Sequence, residues 1–118
     1  MLSPILKESG LNTVISASDE TNVDMSVSEF NSYLSDGTVM PMLGQWNTHS
    51  YSGSIVSKSR IGSLARANNL PLWQSETGDG GSGLAGNLKL AKRLIEDIRY
   101  IHPAEWVDWQ YVEEWNDQ

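Results

Sequence analysis

Cysteine is absent from this chain of 118 residues, which excludes disulfides and thiolate metal sites. Histidine is nearly absent: His49 and His102 are the two present, and they do not have metal-ligand spacing to one another. Basic residues are scarce, eight Lys and Arg against fifteen Asp and Glu, for a formal charge of -7. With no Lys/Arg cluster to neutralise phosphates, nucleic acid and anionic membrane are excluded as partners. No apolar stretch approaches the ~20 residues of a membrane-spanning helix. Met1-Leu2-Ser3-Pro4 reads as a helix opening, so no secretory signal is expected. Phenylalanine occurs once, against five tryptophans and four tyrosines. Trp and Tyr pair a flat apolar face with a polar tip, which suits stacking on sugars as well as core packing. The length fits one domain.

Helical and strand patterns alternate along the chain. Ser3-Pro4 opens a helix that Gly10 stops, and Leu11 to Ala17 then reads as a strand. Ser26-Val27-Ser28-Glu29 has the form of a capping box, with Val27, Phe30 and Leu34 on one apolar face and Asp36-Gly37 at the end. A second strand is expected within Val39 to Asn47. A third helix, capped by Ser57 or Ser59, carries Ile61, Leu64 and Ala65, and a third strand covers Leu72 to Ser75. The strongest periodicity is Leu84, Leu88, Ala91, Leu94, Ile95, Ile98 and Ile101, an apolar helical stripe with Lys89, Lys92, Arg93, Asp97 and Arg99 on other faces. Pro103 stops that helix, and Trp106 to Val112 gives a fourth strand. Such alternation predicts a parallel sheet with helical crossovers. A pattern that begins on a helix and stops just after a strand is expected to be half of a larger domain. Its inward sheet face would then expose apolar surface and favour a homo-oligomer.

Leu72-Trp73-Gln74-Ser75-Glu76-Thr77-Gly78 is the most informative stretch: an apolar run that ends in a carboxylate. The glycine-rich loop Gly78-Asp79-Gly80-Gly81-Ser82-Gly83 follows. The C-terminal tip of a parallel strand is where barrel enzymes keep catalytic groups. The plainer alternative is that Glu76 is the first solvent-exposed residue after the strand.

This segment, preceded by Asn47-Thr48-His49-Ser50-Tyr51 and followed by Trp106-Val107-Asp108-Trp109-Gln110, resembles the C-terminal half of a glycoside hydrolase family 30 catalytic barrel. Three motifs in order match strands six, seven and eight of that family, and Thr13 to Glu20 resembles strand five. The resemblance covers essentially the whole chain, residues 1–118. It implies an α/β fold, a partial (β/α)8 (TIM) barrel of strands five to eight with a parallel sheet and outer helices. It also implies a retaining hydrolase of β-linked glycans. Glu76 matches the nucleophile, Tyr51 the residue whose hydroxyl bonds it, and His49 a polar position on the same strand tip. His49 has a plainer reading, a hydrogen-bonded core histidine. Trp109 matches the aromatic platform under the sugar, and Trp115 is a candidate for a more distant subsite. Asp19 and Glu20 match acidic positions near the acid/base, or are two solvated loop carboxylates. Trp73, three residues before Glu76, is expected to pack toward the helices.

One departure stands out. The family's acid/base glutamate belongs to an Asn-Glu pair, and no Asn-Glu dipeptide occurs here. The resemblance therefore implies a chain that carries the nucleophile and lacks the leaving-group acid, with the N-terminal half-barrel and an accompanying β-sandwich absent. Little or no hydrolysis of natural glycans is expected from it alone. The implied partner is a β-linked oligo- or polysaccharide, with β-1,6-galactan suggested by the Trp-Gln segments. No cofactor is implied, and the parent family is mostly secreted or periplasmic. The alternatives are a non-catalytic carbohydrate-binding module and a structural half-barrel.

Overall fold

In the computed structural model, which describes residues 2–78, 81 and 83–110, four parallel strands form one sheet in chain order. The elements run α1 (Leu2–Glu8), β1 (Ile15–Glu20), α2 (Val23–Ser35), β2 (Leu43–His49), α3 (Ile55–Ala67), β3 (Leu72–Thr77), α4 (Gly83–Tyr100) and β4 (Glu105–Asp108). A 3-10 turn at Met40–Met42 leads into β2. Each of β1, β2 and β3 hands over to a helix that returns to the base of the next strand, the connection that parallel pairing requires. The architecture is α/β and consistent with part of a barrel.

Local chemistry shifts several boundaries from those the sequence suggests. Asn22, not the capping box, caps α2: its side-chain oxygen accepts from the Met25 N–H at 3.0 Å. Ser26 lies buried in the helix instead, where its hydroxyl accepts from Trp46 Nε1 at 2.9 Å. Ser54 caps α3 one turn ahead of the expected serines, accepting from the Ser57 N–H at 3.1 Å. The first strand runs later than Leu11 to Ala17. Leu11 and Val14 stay exposed because the ladder with β2 starts only at Ile15 opposite Leu43. The expected end of the last strand at Val112 lies outside the described residues.

The core lies on the helix side of the sheet. Val23 and Phe30 from α2, Ile61, Leu64 and Ala65 from α3, Trp46, Leu72 and Ile101 form one cluster. Trp46 is its centre, with the Phe30 ring 4.5 Å and the Tyr33 ring 5.3 Å away, centroid to centroid.

Two expectations about buried faces are corrected. Trp73 does not pack toward the helices. Side chains alternate along β3, so burial of Leu72 and Gln74 turns Trp73 to the uncovered face, where it is 36% exposed. That uncovered face is also mostly polar, with Ser16, Ser18, Gln45, Asn47 and Ser75 at its alternating positions. Most of the apolar stripe of α4 is exposed: Leu88 is 61% and Ile95 64% accessible, and Leu84 and Ile98 are exposed beside them, whereas Leu94 is half-buried and Ile101, just past the helix, joins the core. Toward the sheet α4 turns Gly86, Asp97 and half-buried Leu90, Arg93 and Leu94.

A polar cluster fixes the α3–α4 seam. Asp97 is fully buried, and its carboxylate sits 2.9 Å from Lys58 Nζ while accepting from Ser50 Oγ at 2.6 Å and Trp106 Nε1 at 3.1 Å. Lys58 also reaches Glu96 at 3.2 Å.

Candidate active site

The ends of β1, β2 and β3 converge on one group of side chains. Glu76, next to last in β3, pairs in register with His49, the last residue of β2. The ladder slips between Thr48 and His49, and just beyond it the Ser50 N–H donates to the Glu76 carbonyl at 3.1 Å. Tyr51 then folds back over the strand end, and its hydroxyl donates to Glu76 Oε1 at 2.8 Å. Among the described residues nothing donates to the other oxygen, Oε2.

Asp19 enters from β1 because it is an extra residue. The β1–β2 register shifts between Ser18 and Glu20, and Asp19 takes a left-handed conformation with φ of 67°. Asp19 thereby reaches across β2, where Oδ1 accepts from Ser75 Oγ at 2.5 Å and lies 3.2 Å from His49 Nε2. His49 Nδ1 faces Glu76 Oε1 at 3.7 Å, so the imidazole sits between two carboxylates. Its ring also meets the Tyr51 ring edge-on at 6.0 Å.

The structure thus brings Glu76, Tyr51, His49 and Asp19 together. Trp109 is adjacent: its N–H donates to the Thr77 carbonyl, its own carbonyl packs on Gly78 where a Cβ would collide, and its side chain is 57% exposed. Glu20 is not joined to the group by any hydrogen bond or ion pair among the described residues. It pairs in register with Thr48, a residue buried on the helix side. Trp115 lies outside the described residues. Sequence reasoning overlooked Ser75, the donor to Asp19, and Arg93, which reaches the strand tips from α4.

Burial, the hydrogen bond to Glu76 and the charge of Glu76 push the Tyr51 hydroxyl up to about 12. The sign follows from proton binding: between about pH 10 and 12 the folded protein holds a proton that an unfolded tyrosine gives up. The contribution to stability is therefore complete below about pH 10 and is lost as pH rises toward 12. In an alkaline ultraviolet titration, Tyr51 is expected to ionise as a separate late component that Tyr51→Phe removes. A Tyr51→Phe curve that keeps the late component would refute the assignment.

No family model matches the sequence. An endo-β-1,6-galactanase of Hypocrea rufa is 28% identical over 112 residues, covering 95% of this chain and 22% of that protein. An exo-β-1,6-galactobiohydrolase of Bifidobacterium longum subsp. longum is 30% identical over 121 residues, covering 96% of this chain and 8% of that protein. Among solved structures, a glycoside hydrolase family 30 endoxylanase from Clostridium papyrosolvens superimposes with a TM-score of 0.71 at 14% identity, over 87% of this chain and 26% of that one. The chain therefore spans at most about a quarter of each protein that it matches. In sequence it is a relative of the two β-1,6-galactan hydrolases, and in fold it matches part of a glycoside hydrolase family 30 barrel, the family that its motifs resemble.

Proposed function

We propose that the chain carries the nucleophile side of a retaining glycoside hydrolase that acts on β-linked galactan, with β-1,6 linkages as the substrate. The Tyr51–Glu76 pair carries this reading. A carboxylate at a strand tip, with one oxygen held at 2.8 Å by a phenol and the other without a donor among the described residues, is arranged to attack. Tyr51 fixes the direction of Oε1 and leaves Oε2 to approach the anomeric carbon.

In the retaining sequence Glu76 forms a bond to that carbon as the glycosidic bond breaks. A second carboxyl, about 5 Å from the nucleophile, protonates the departing oxygen, and the same group then activates the water that releases the sugar. We assign this second carboxyl to a strand of the barrel outside the four described here. Asp19, Ser75 and His49 hold the flank of the site, and the exposed Trp109 face stacks on the apolar side of the pyranose. General acid help contributes about 10²–10⁴ in rate, so the polypeptide on its own is expected to hydrolyse natural galactan poorly. A polymeric substrate of this kind places the parent enzyme outside the cell.

The test is intact-mass spectrometry after incubation with a galactosyl fluorosugar bearing an activated leaving group, which needs a nucleophile but no acid. One covalent sugar per chain, mapped to Glu76, is the expected result. Unlabelled protein that still binds galactan oligosaccharide would turn the assignment to a non-catalytic binding module.

A further inference from the structure

α4 puts two charged side chains into the seam that it packs against the sheet, where an amphipathic helix ordinarily presents apolar ones. Arg93 and Asp97 lie one turn apart on this face; Arg93 spends its polar atoms on the tips of β2 and β3, and Asp97 joins the end of β2 to the start of β4 and to α3. One terminal nitrogen of Arg93 donates to Thr77 Oγ1 at 3.1 Å and to the Gly78 carbonyl, while the other donates to the Tyr51 carbonyl at 3.2 Å. These acceptors belong to the two residues after Glu76 and to Tyr51 itself. Among the described residues no carboxylate lies within ion-pair distance of Arg93. Asp97 receives the hydroxyl of Ser50, the residue between His49 and Tyr51, and the indole N–H of Trp106, three residues before Trp109.

We propose that Arg93 and Asp97 are positioning residues: together they brace the ends of β2 and β3, and the start of β4, from behind, and so set the Tyr51–Glu76 separation. The physical reason lies in what strand tips lack. Beyond the ladder their carbonyls have no partner strand, and each would otherwise turn to water. A planar guanidinium offers several donors in a fixed fork, so one side chain holds two chain segments at a set spacing. An ammonium on a flexible stem does not fix that geometry. The carboxylate of Asp97 is held by Lys58 at 2.9 Å, so the brace is anchored to α3 as well. Its effect on catalysis rests on Glu76 being the nucleophile. Its effect on the geometry of Tyr51 does not.

The experiment is therefore read in two channels, on the chain itself. Arg93→Lys keeps the charge and removes the fork. Ser50→Ala removes one hydroxyl that Asp97 receives, a milder change in case the first variant folds poorly. In the alkaline ultraviolet titration both are expected to lower the late Tyr51 ionisation, because a slackened tip admits water and lengthens the bond to Glu76, while Arg93→Lys retains the positive charge that already holds Tyr51 down. The rate of labelling by the fluorosugar is expected to fall about 10–100-fold in Arg93→Lys, since ångström-scale misplacement of reacting groups costs that much. A Tyr51 titration unchanged in both folded variants overturns the brace, whatever the labelling shows. If Tyr51 shifts while the unmodified chain takes no fluorosugar, the brace stands and the hydrolase reading falls alone.

Discussion

Replacing Lys58 with alanine is expected to cost about 3–5 kcal/mol of folding stability, because it strands a buried carboxylate. The Lys58 side chain is 5% and the Asp97 side chain 0% exposed, with 2.9 Å between their charged atoms. Ion pairs of this depth contribute little over a well-packed apolar pair, since both charges had to leave water. Removing one partner is a different matter: Asp97 would keep two neutral donors, Ser50 and Trp106, and lose its counter-ion. For a domain whose whole stability is about 5–15 kcal/mol, that loss approaches unfolding. Urea titration followed by tryptophan fluorescence checks it, with the midpoint expected to fall by more than about 1 M. The double variant Lys58→Met/Asp97→Asn removes both charges and leaves an amide able to accept from Ser50 and Trp106. It is expected to recover more than half of the loss, a coupling that only contacting residues show. A single-variant cost below about 1 kcal/mol would mean that water screens the pair as it does on a surface.

The same seam shows where the fold was legible and where it was not. Strand and helix order, the parallel sheet and the Phe30 and Ile61 core positions all followed from periodicity. The orientation of α4 did not. The expected stripe divides: Leu84, Leu88, Ala91, Ile95 and Ile98 form one face, while Leu94 and Ile101 turn toward a second, about half a turn away, made of Gly86, Leu90, Arg93 and Asp97. Hydrophobicity alone selects the first for the core. The second is the buried one, because Gly86 sits where a Cβ would strike the Gly81 backbone and because Arg93 and Asp97 have partners on the strand tips. Pattern counts apolar residues and has no measure of a polar partner supplied from elsewhere in the chain.

Trp73 failed for a related reason. Counting back from Glu76 assumes an unbroken pleat, whereas the ladders on both sides of β3 slip near its tip. A one-residue slip exchanges the two faces, so Glu76 and Trp73 need not obey strict alternation. The candidate site was legible through the family resemblance of two short motifs, which singled out Glu76, Tyr51 and His49; the structure brings these three together at two neighbouring strand ends. Asp19 was legible by position, but its partners were not, because its reach to Ser75 depends on a bulge and a left-handed residue that composition does not reveal.

Glu76→Gln is expected to abolish covalent labelling by the fluorosugar, a loss of at least about 10³-fold, while leaving the fold intact. The amide is nearly isosteric, and its oxygen still accepts from Tyr51, so the strand tip retains its shape. It has no negative charge to form a bond to the anomeric carbon. The variant also has a signature that needs no sugar. The Glu76 charge is one of the influences that push the Tyr51 hydroxyl up to about 12, after burial and alongside their hydrogen bond. Neutralising it is expected to bring Tyr51 down while leaving it above an ordinary tyrosine, because burial persists. Arg93→Lys and Glu76→Gln thus lower the same titration by different routes, one by loosening geometry and the other by removing charge. Combined, they are expected to lower it further than either alone. Labelling that survives in Glu76→Gln would move the nucleophile elsewhere, and Asp19, exposed beside His49, would be the next carboxylate to test.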